Sequence, residues 1–137
     1  MIVLKIGLSG LSFAWYLKKH CPASSIGVGF FGIFYALSGY MAAYSWNIMW
    51  LDCILLFPLI VYGLEELVES GGGILYCLTL GLSILSNYYI SIMTCLFLVL
   101  YFIALLILKT PRTFKAAAGI FGRFCLYSLL ALSLIHI

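Results

Sequence analysis

Tyr44-Ser45-Trp46-Asn47-Ile48-Met49-Trp50-Leu51-Asp52 opens onto an apolar run that continues to about Leu67, and reading these two features together decides the fold. A helix of roughly 20 apolar residues crosses a hydrocarbon core about 30 Å thick, so the run is read as a membrane span. A second polar and aromatic interruption, Asn87-Tyr88-Tyr89, separates two further apolar runs. Polar and ionisable groups at membrane depth cost free energy, so both interruptions call for a role in packing, in anchoring or in a site.

Composition agrees. Of 137 residues, 66% are hydrophobic and 8% charged, against about 45–50% apolar and about 25% charged in soluble domains. The expected fold class is all-α, a polytopic transmembrane helix bundle of about six spans at 2–17, 26–44, 48–67, 74–86, 90–108 and 119–137, all in one transmembrane domain. Both chain ends lie inside apolar segments, so the chain is expected to be a fragment. Cys21, Cys53, Cys77, Cys95 and Cys125 lack metal-ligand spacing and are odd in number, which reads them as small buried hydrophobes. The net charge of +3 comes with no basic run of the kind that binds nucleic acid.

Lys and Arg in short loops mark the cytoplasmic side. Here they gather at Lys18-Lys19 and at Lys109, Arg112 and Lys115, four crossings apart, which returns both clusters to one face. The acidic Glu65-Glu66 and Glu69, leading into Gly71-Gly72-Gly73, fall on that face as well. Tyr44 to Asp52 and Asn87 to Tyr89 are then expected on the extracytoplasmic side. At about 1.5 Å per residue, Ile74 to Ser86 is shorter than the hydrocarbon is thick, so Asn87-Tyr88-Tyr89 is expected to turn below the headgroups in a recess covered by protein or water. The competing expectation is a helix that runs straight through Asn87.

Asn47 has the chemistry of an N-cap whose side chain accepts an early backbone N–H, with Trp46 and Leu51 at the staple positions on either side. Asp52 follows just past the first turn. It reads either as a helix-start carboxylate beside a Trp46 and Trp50 belt, or as a recess-facing metal ligand, substrate acceptor or support for another acid. Met49, Asp52 and Leu56 share one helix face by spacing, and Pro58 removes a backbone bond lower down and is expected to kink the helix. Lys5 lies near the depth of Asp52, as its partner charge, as a point charge for phosphate, or as a snorkelling lysine. Gly7, Gly10 and Ala14 give the first segment a small-residue face for close packing. Tyr35, Tyr40, Tyr44, Tyr88 and Tyr89 concentrate phenols toward the outer side, as belt anchors or as sugar-stacking rings. No Ser-His-Asp set, glycine-rich phosphate loop or zinc spacing can be assembled.

Ala36-Leu37-Ser38-Gly39-Tyr40, then Trp46 to Asp52 and Leu59-Ile60, then Ser86-Asn87-Tyr88-Tyr89-Ile90 form an ordered set. With Leu4 to Leu11, Arg123-Phe124 and Tyr127 to Ala131, it resembles the bacterial YfhO-type membrane proteins over about Leu4 to Ala131. The last residues, Leu132 to Ile137, depart from that pattern and look like read-through, which removes His136 from consideration. The resemblance implies a GT-C-like architecture and transfer of sugars from polyprenyl-phosphate carriers to envelope polymers such as teichoic acids. It places the catalytic carboxylate in a large outer loop upstream of these residues, leaving the catalytic residue unknown here. Lys5, Asn47, Trp50, Asp52, Asn87, Tyr88 and Tyr89 are then substrate-lining or supporting candidates, with no resident metal ligands among them and a divalent metal as a candidate cofactor. The expected partners are the lipid bilayer, a polyprenyl-phosphate sugar and an envelope polymer. Two rivals stand beside this reading: a transporter or flippase of a lipid-linked substrate, and a structural membrane subunit.

Overall fold

In a computed structural model, which describes residues 1–21, 24–44, 46–109 and 114–133, the described chain is all-helical. In chain order the helices are α1 (Ile2–His20), α2 (Ser25–Ala36), the short α3 (Gly39–Tyr44), α4 (Ile48–Ser70), α5 (Ile74–Ser86), α6 (Tyr88–Lys109) and α7 (Phe114–Ser133). Helices α4, α6 and α7 are long and apolar enough to cross a membrane, and α2 and α5 are shorter apolar helices. Pro22, Ser45, Pro111, Arg112, His136 and the side chain of Tyr40 lie outside the described residues.

The boundaries differ from expectation where local chemistry competes with hydropathy. Helix α1 continues through Lys18, Lys19 and His20, which fill its last turn, where the negative end of the helix dipole favours cations. The second segment, expected to run unbroken over 26–44, stops at Ala36 and resumes at Gly39. Helix α4 runs on to Ser70 and ends at Gly71, whose φ of 78° is the left-handed cap conformation and whose N–H reaches the Leu67 carbonyl at 3.1 Å. Helix α7 starts at Phe114, before the expected Gly119.

The core lies between α4, α5, α6 and α7, where Ile60, Leu64, Leu67, Tyr76, Leu80, Leu98, Phe102 and Phe124 are buried together. Helices α1 and α2 pack on the other side of α4. Large apolar side chains point outward, among them Phe30, Phe31 and Phe34 of α2, Leu100 and Ile107 of α6 and Leu129 of α7. Such a surface is costly in water and unpenalised in lipid.

Glycines set two of the close approaches. A Cβ on Gly10 would stand 3.0 Å from the Gly32 carbonyl oxygen, and one on Gly32 would stand 3.0 Å from that of Gly10, with Ala14 and Ala36 alongside. The expected small-residue face of α1 therefore includes Gly10 and Ala14. Gly7 has open space where its Cβ would be and plays no part in the crossing. The tighter approach is α4 on α5, where a Cβ on Gly63 would lie 2.7 Å from the backbone nitrogen of Tyr76.

Pro58 sits inside α4 and donates no N–H to the Ile54 carbonyl four residues back. The Tyr35 hydroxyl of α2 donates to that carbonyl at 2.8 Å, and the Ser12 hydroxyl of α1 donates to the neighbouring Leu55 carbonyl at 2.9 Å. Two flanking helices thus satisfy the backbone groups that proline loosens, which is how a proline is accommodated away from water.

Candidate functional site: an ion pair beside an apolar groove

Helix α1 places Lys5 in its first turns, and α4, running parallel to α1, places Asp52 one turn from its own start. The Lys5 ammonium lies 2.7 Å from Asp52 Oδ1 and 2.8 Å from Oδ2, and donates further to the Ile48 carbonyl at 3.3 Å. Their side chains are 15% and 34% exposed. Of the roles open to Lys5 and Asp52, the structure therefore shows the mutual one. Both Lys5 hydrogen bonds, to Asp52 and to the Ile48 carbonyl, lie in a partly desolvated place where charge-assisted hydrogen bonds are strong.

Asn47 is the residue before α4, as expected, but its side chain accepts no capping bond. Its backbone has φ −100° and ψ 86°, and its carbonyl accepts from the Trp50 N–H at 3.1 Å. The expected staple is also replaced. Trp46 is 73% exposed with its ring 6.4 Å from that of Trp50, while Leu51 is fully buried. Trp50 also meets Tyr44, at 5.1 Å between ring centroids, so the corner of α3 and α4 is an aromatic cluster.

Asn87 breaks α5 from α6 with an extended backbone, φ −158° and ψ 109°. The chain does not run straight through as one helix. The Asn87 side-chain oxygen accepts the Ile90 N–H at 3.1 Å, making it the cap of α6. Tyr88 and Tyr89 are 62% and 63% exposed. Tyr88 borders a small cleft of about 50 Å³ with Ser91 and Cys95, on a different face of α6 from the one bearing Ile90, Met93, Thr94 and Phe97. The structure thus joins Lys5 to Asp52 and leaves Asn87, Tyr88 and Tyr89 outside that pair.

That other face of α6 lines the largest cavity described, an open groove of about 510 Å³ between α2, α4 and α6. Tyr35 and Ser38 form one wall, Cys53, Ile54 and Phe57 the floor. It is almost wholly apolar. Cys53 follows Asp52 in sequence, so the groove lies at the same end of α4 as the ion pair but around the helix from it. Among the described residues, no three His, Cys, Asp or Glu side chains converge to hold a metal.

A carboxylate expected at the acidic, cytoplasmic end of the third span is the most enclosed charge described. Glu65 is 3% exposed within α4, reached by Tyr16 of α1 at 3.2 Å, by Tyr101 of α6 and by His20 of α1 at 3.3 Å. The available signal was the apolar pattern of Leu64, Leu67 and Val68, which carries the helix past Glu65 and leaves it facing α1 and α6.

The family model described as bacterial membrane protein YfhO matches residues 1–137. The chain belongs to the YfhO family. The match includes residues 132–137, which had been expected to depart from the family pattern. No curated protein and no solved structure matches this YfhO-family chain.

Proposed function

We propose that this YfhO-family chain forms part of the wall of a membrane-embedded sugar-transfer site, taking sugar from a polyprenyl-phosphate carrier to an envelope polymer such as teichoic acid on the extracytoplasmic face. The observation that carries this reading is the apolar groove at the same end of α4 as the Lys5–Asp52 pair. An isoprenoid tail needs a lateral apolar channel, and its phosphate needs a cation. Lys5, held in place by Asp52, supplies that cation. The acceptor oxygen attacks the anomeric carbon, the bond from that carbon to the phosphate oxygen breaks, and polyprenyl phosphate departs with the bonding electrons. A carboxylate outside these residues takes the acceptor proton, and Lys5 stabilises the charge gathering on the phosphate. A divalent metal, if recruited, draws its ligands from elsewhere as well.

Deletion of the full gene is expected to remove a sugar substituent from an envelope polymer, and unchanged polymer composition would sink the transferase reading. In complemented cells, Lys5→Met should cut transfer by about 100-fold, the scale seen when a transition-state charge loses its stabilising group. Asp52→Asn leaves the ammonium in place but unanchored and should cost less. One feature favours the flippase alternative: α2 and α3 form a broken helix whose break residue Ser38 lines the groove, and transporters use such breaks. Transbilayer movement of a lipid-linked sugar by the purified protein, with no sugar transferred, would select it.

The proposed sidedness puts Lys18 and Lys19 in the cytoplasm. Cys21, next to them, is exposed, whereas Cys53 is buried and Cys77, Cys95 and Cys125 are half-buried. A membrane-impermeant maleimide should label Cys21 only after the membrane is opened; labelling in intact spheroplasts would invert the topology.

A further inference from the structure

We propose that Arg123 and the exposed face of α7 beyond it bind an anionic phospholipid, the guanidinium holding the headgroup phosphate at the level of the turn between α4 and α5. Two anchors set the azimuth of α7. The Ser128 hydroxyl meets that of Tyr76 on α5 at 3.0 Å, and the Phe124 ring stacks on Phe102 of α6 with centroids 4.3 Å apart. Arg123 and Tyr127 each precede one of these anchors, and that rotation lays both over the glycine turn. A Cβ on Gly71 would collide with the Arg123 guanidinium, and one on Gly73 with the Tyr127 ring. The bare backbone of the turn is therefore the seat that holds the guanidinium against the left-handed end of α4.

That seat leaves the charge without a protein partner. Among the described residues, Arg123 is exposed and makes no hydrogen bond or ion pair, and Glu66 opens onto a separate cleft with Gly72, Ile74, Leu75 and Leu78. Yet α7 is long and apolar enough to cross a membrane, where an unpaired charge is costly. A phosphate removes that cost, and the planar guanidinium fork meets it with two parallel hydrogen bonds. Helix spacing supplies the rest of the ligand. Leu126, Tyr127 and Leu130 stand at i+3, i+4 and i+7 from Arg123, so they share its face, and both leucines are exposed. At about 1.5 Å per residue this apolar strip reaches roughly 10 Å from the guanidinium, running toward Leu132, which borders the Tyr88 cleft. A cation with an apolar strip leading away from it complements a phosphate that carries acyl chains. The unneutralised charge favours phosphatidylglycerol over phosphatidylcholine, whose own ammonium offsets its phosphate. The site lies at the other end of α4 from Lys5 and Asp52 and does not depend on the sugar-transfer reading.

The test is native mass spectrometry of the full chain in detergent, titrated with phosphatidylglycerol or phosphatidylcholine. Wild type should retain phosphatidylglycerol more tightly, and Arg123→Gln should weaken that binding by about tenfold or more, the scale of a lost charge-assisted hydrogen bond. Arg123→Lys keeps the charge without the fork and should fall between the two. Lys115→Gln, which removes an exposed cation near the start of the same helix, should leave the affinity nearly unchanged. Equal losses at Lys115 and Arg123 would reduce the attraction to diffuse charge and overturn the proposal, as would equal retention of the two lipids. Displacement of the lipid by millimolar inorganic phosphate would make the ligand a soluble anion and overturn it too. Thermal unfolding checks the fold: without lipid, Arg123→Gln should match wild type, and added phosphatidylglycerol should stabilise wild type alone. Stabilisation of the same size in Arg123→Gln would overturn the proposal.

Discussion

Gly63→Ala lowers the stability of the bundle by about 1–3 kcal/mol, the usual cost of forcing extra volume into a packed interface. The new Cβ would stand 2.7 Å from the nitrogen and 2.9 Å from the Cα of Tyr76. Both are backbone atoms, so no rotamer change relieves the clash and α5 must move away from α4. Movement there disturbs Leu64, Leu67 and Leu80, all buried in the shared core. Gly7→Ala is the matched control, because nothing lies within 4 Å of its Cβ position. In a helix, alanine is favoured over glycine by up to about 1 kcal/mol, so the same chemical change at Gly7 should stabilise. Thermal unfolding in detergent measures both. Equal effects at the two sites would show that α4 and α5 are not in backbone contact at Gly63.

Tyr35→Phe costs about 1–3 kcal/mol, the penalty for leaving a buried carbonyl without its donor. The hydroxyl it loses is the one bonded to the Ile54 carbonyl opposite Pro58. The size of that loss depends on the proline. In a Pro58→Ala background, the alanine N–H becomes available to Ile54, so Tyr35→Phe should cost much less. The difference between the two backgrounds, read as a double-mutant cycle by thermal unfolding, isolates the coupling. A coupling near zero would mean that Tyr35 is held by its ring alone, packed 4.5 Å from Phe13 between centroids. Ser12→Ala removes the donor to the neighbouring Leu55 carbonyl and serves as a second, smaller probe of the same gap.

Much of this architecture is legible along the chain because lipid imposes a simple code. Backbone groups in hydrocarbon must be satisfied within a segment, so apolar runs of sufficient length become helices. That logic yields the all-helical bundle, the starts of α1 and α4, and both ends of α5. It also brings Lys5 and Asp52 to one depth, since helix rise converts residue number directly into height. The break at Leu37 and Ser38 escapes it, because the residues from Ile26 to Tyr44 are nearly all compatible with one continuous helix. The Asn47 cap escapes it for another reason. Its side chain can accept an early N–H, yet at the α3–α4 corner it makes no cap bond.

What the sequence determined by itself was class, membrane habitat and depth: that the chain is helical, that Lys5 and Asp52 share a level, and which family the ordered motifs resemble. These follow from one-dimensional quantities, hydropathy and rise per residue. Azimuth was decided by the tertiary structure alone. Whether Asp52 faces α1 or the groove, whether Tyr88 lines that groove or a cleft on another face, and whether Glu65 meets water or Tyr16, Tyr101 and His20 depend on how each helix is rotated against its neighbours. In an apolar helix surrounded by lipid, most faces look alike to hydropathy. The rotation is set instead by close approaches such as Gly63 on Tyr76 and by the few hydroxyls that reach another helix, and those contacts pair residues far apart in the chain.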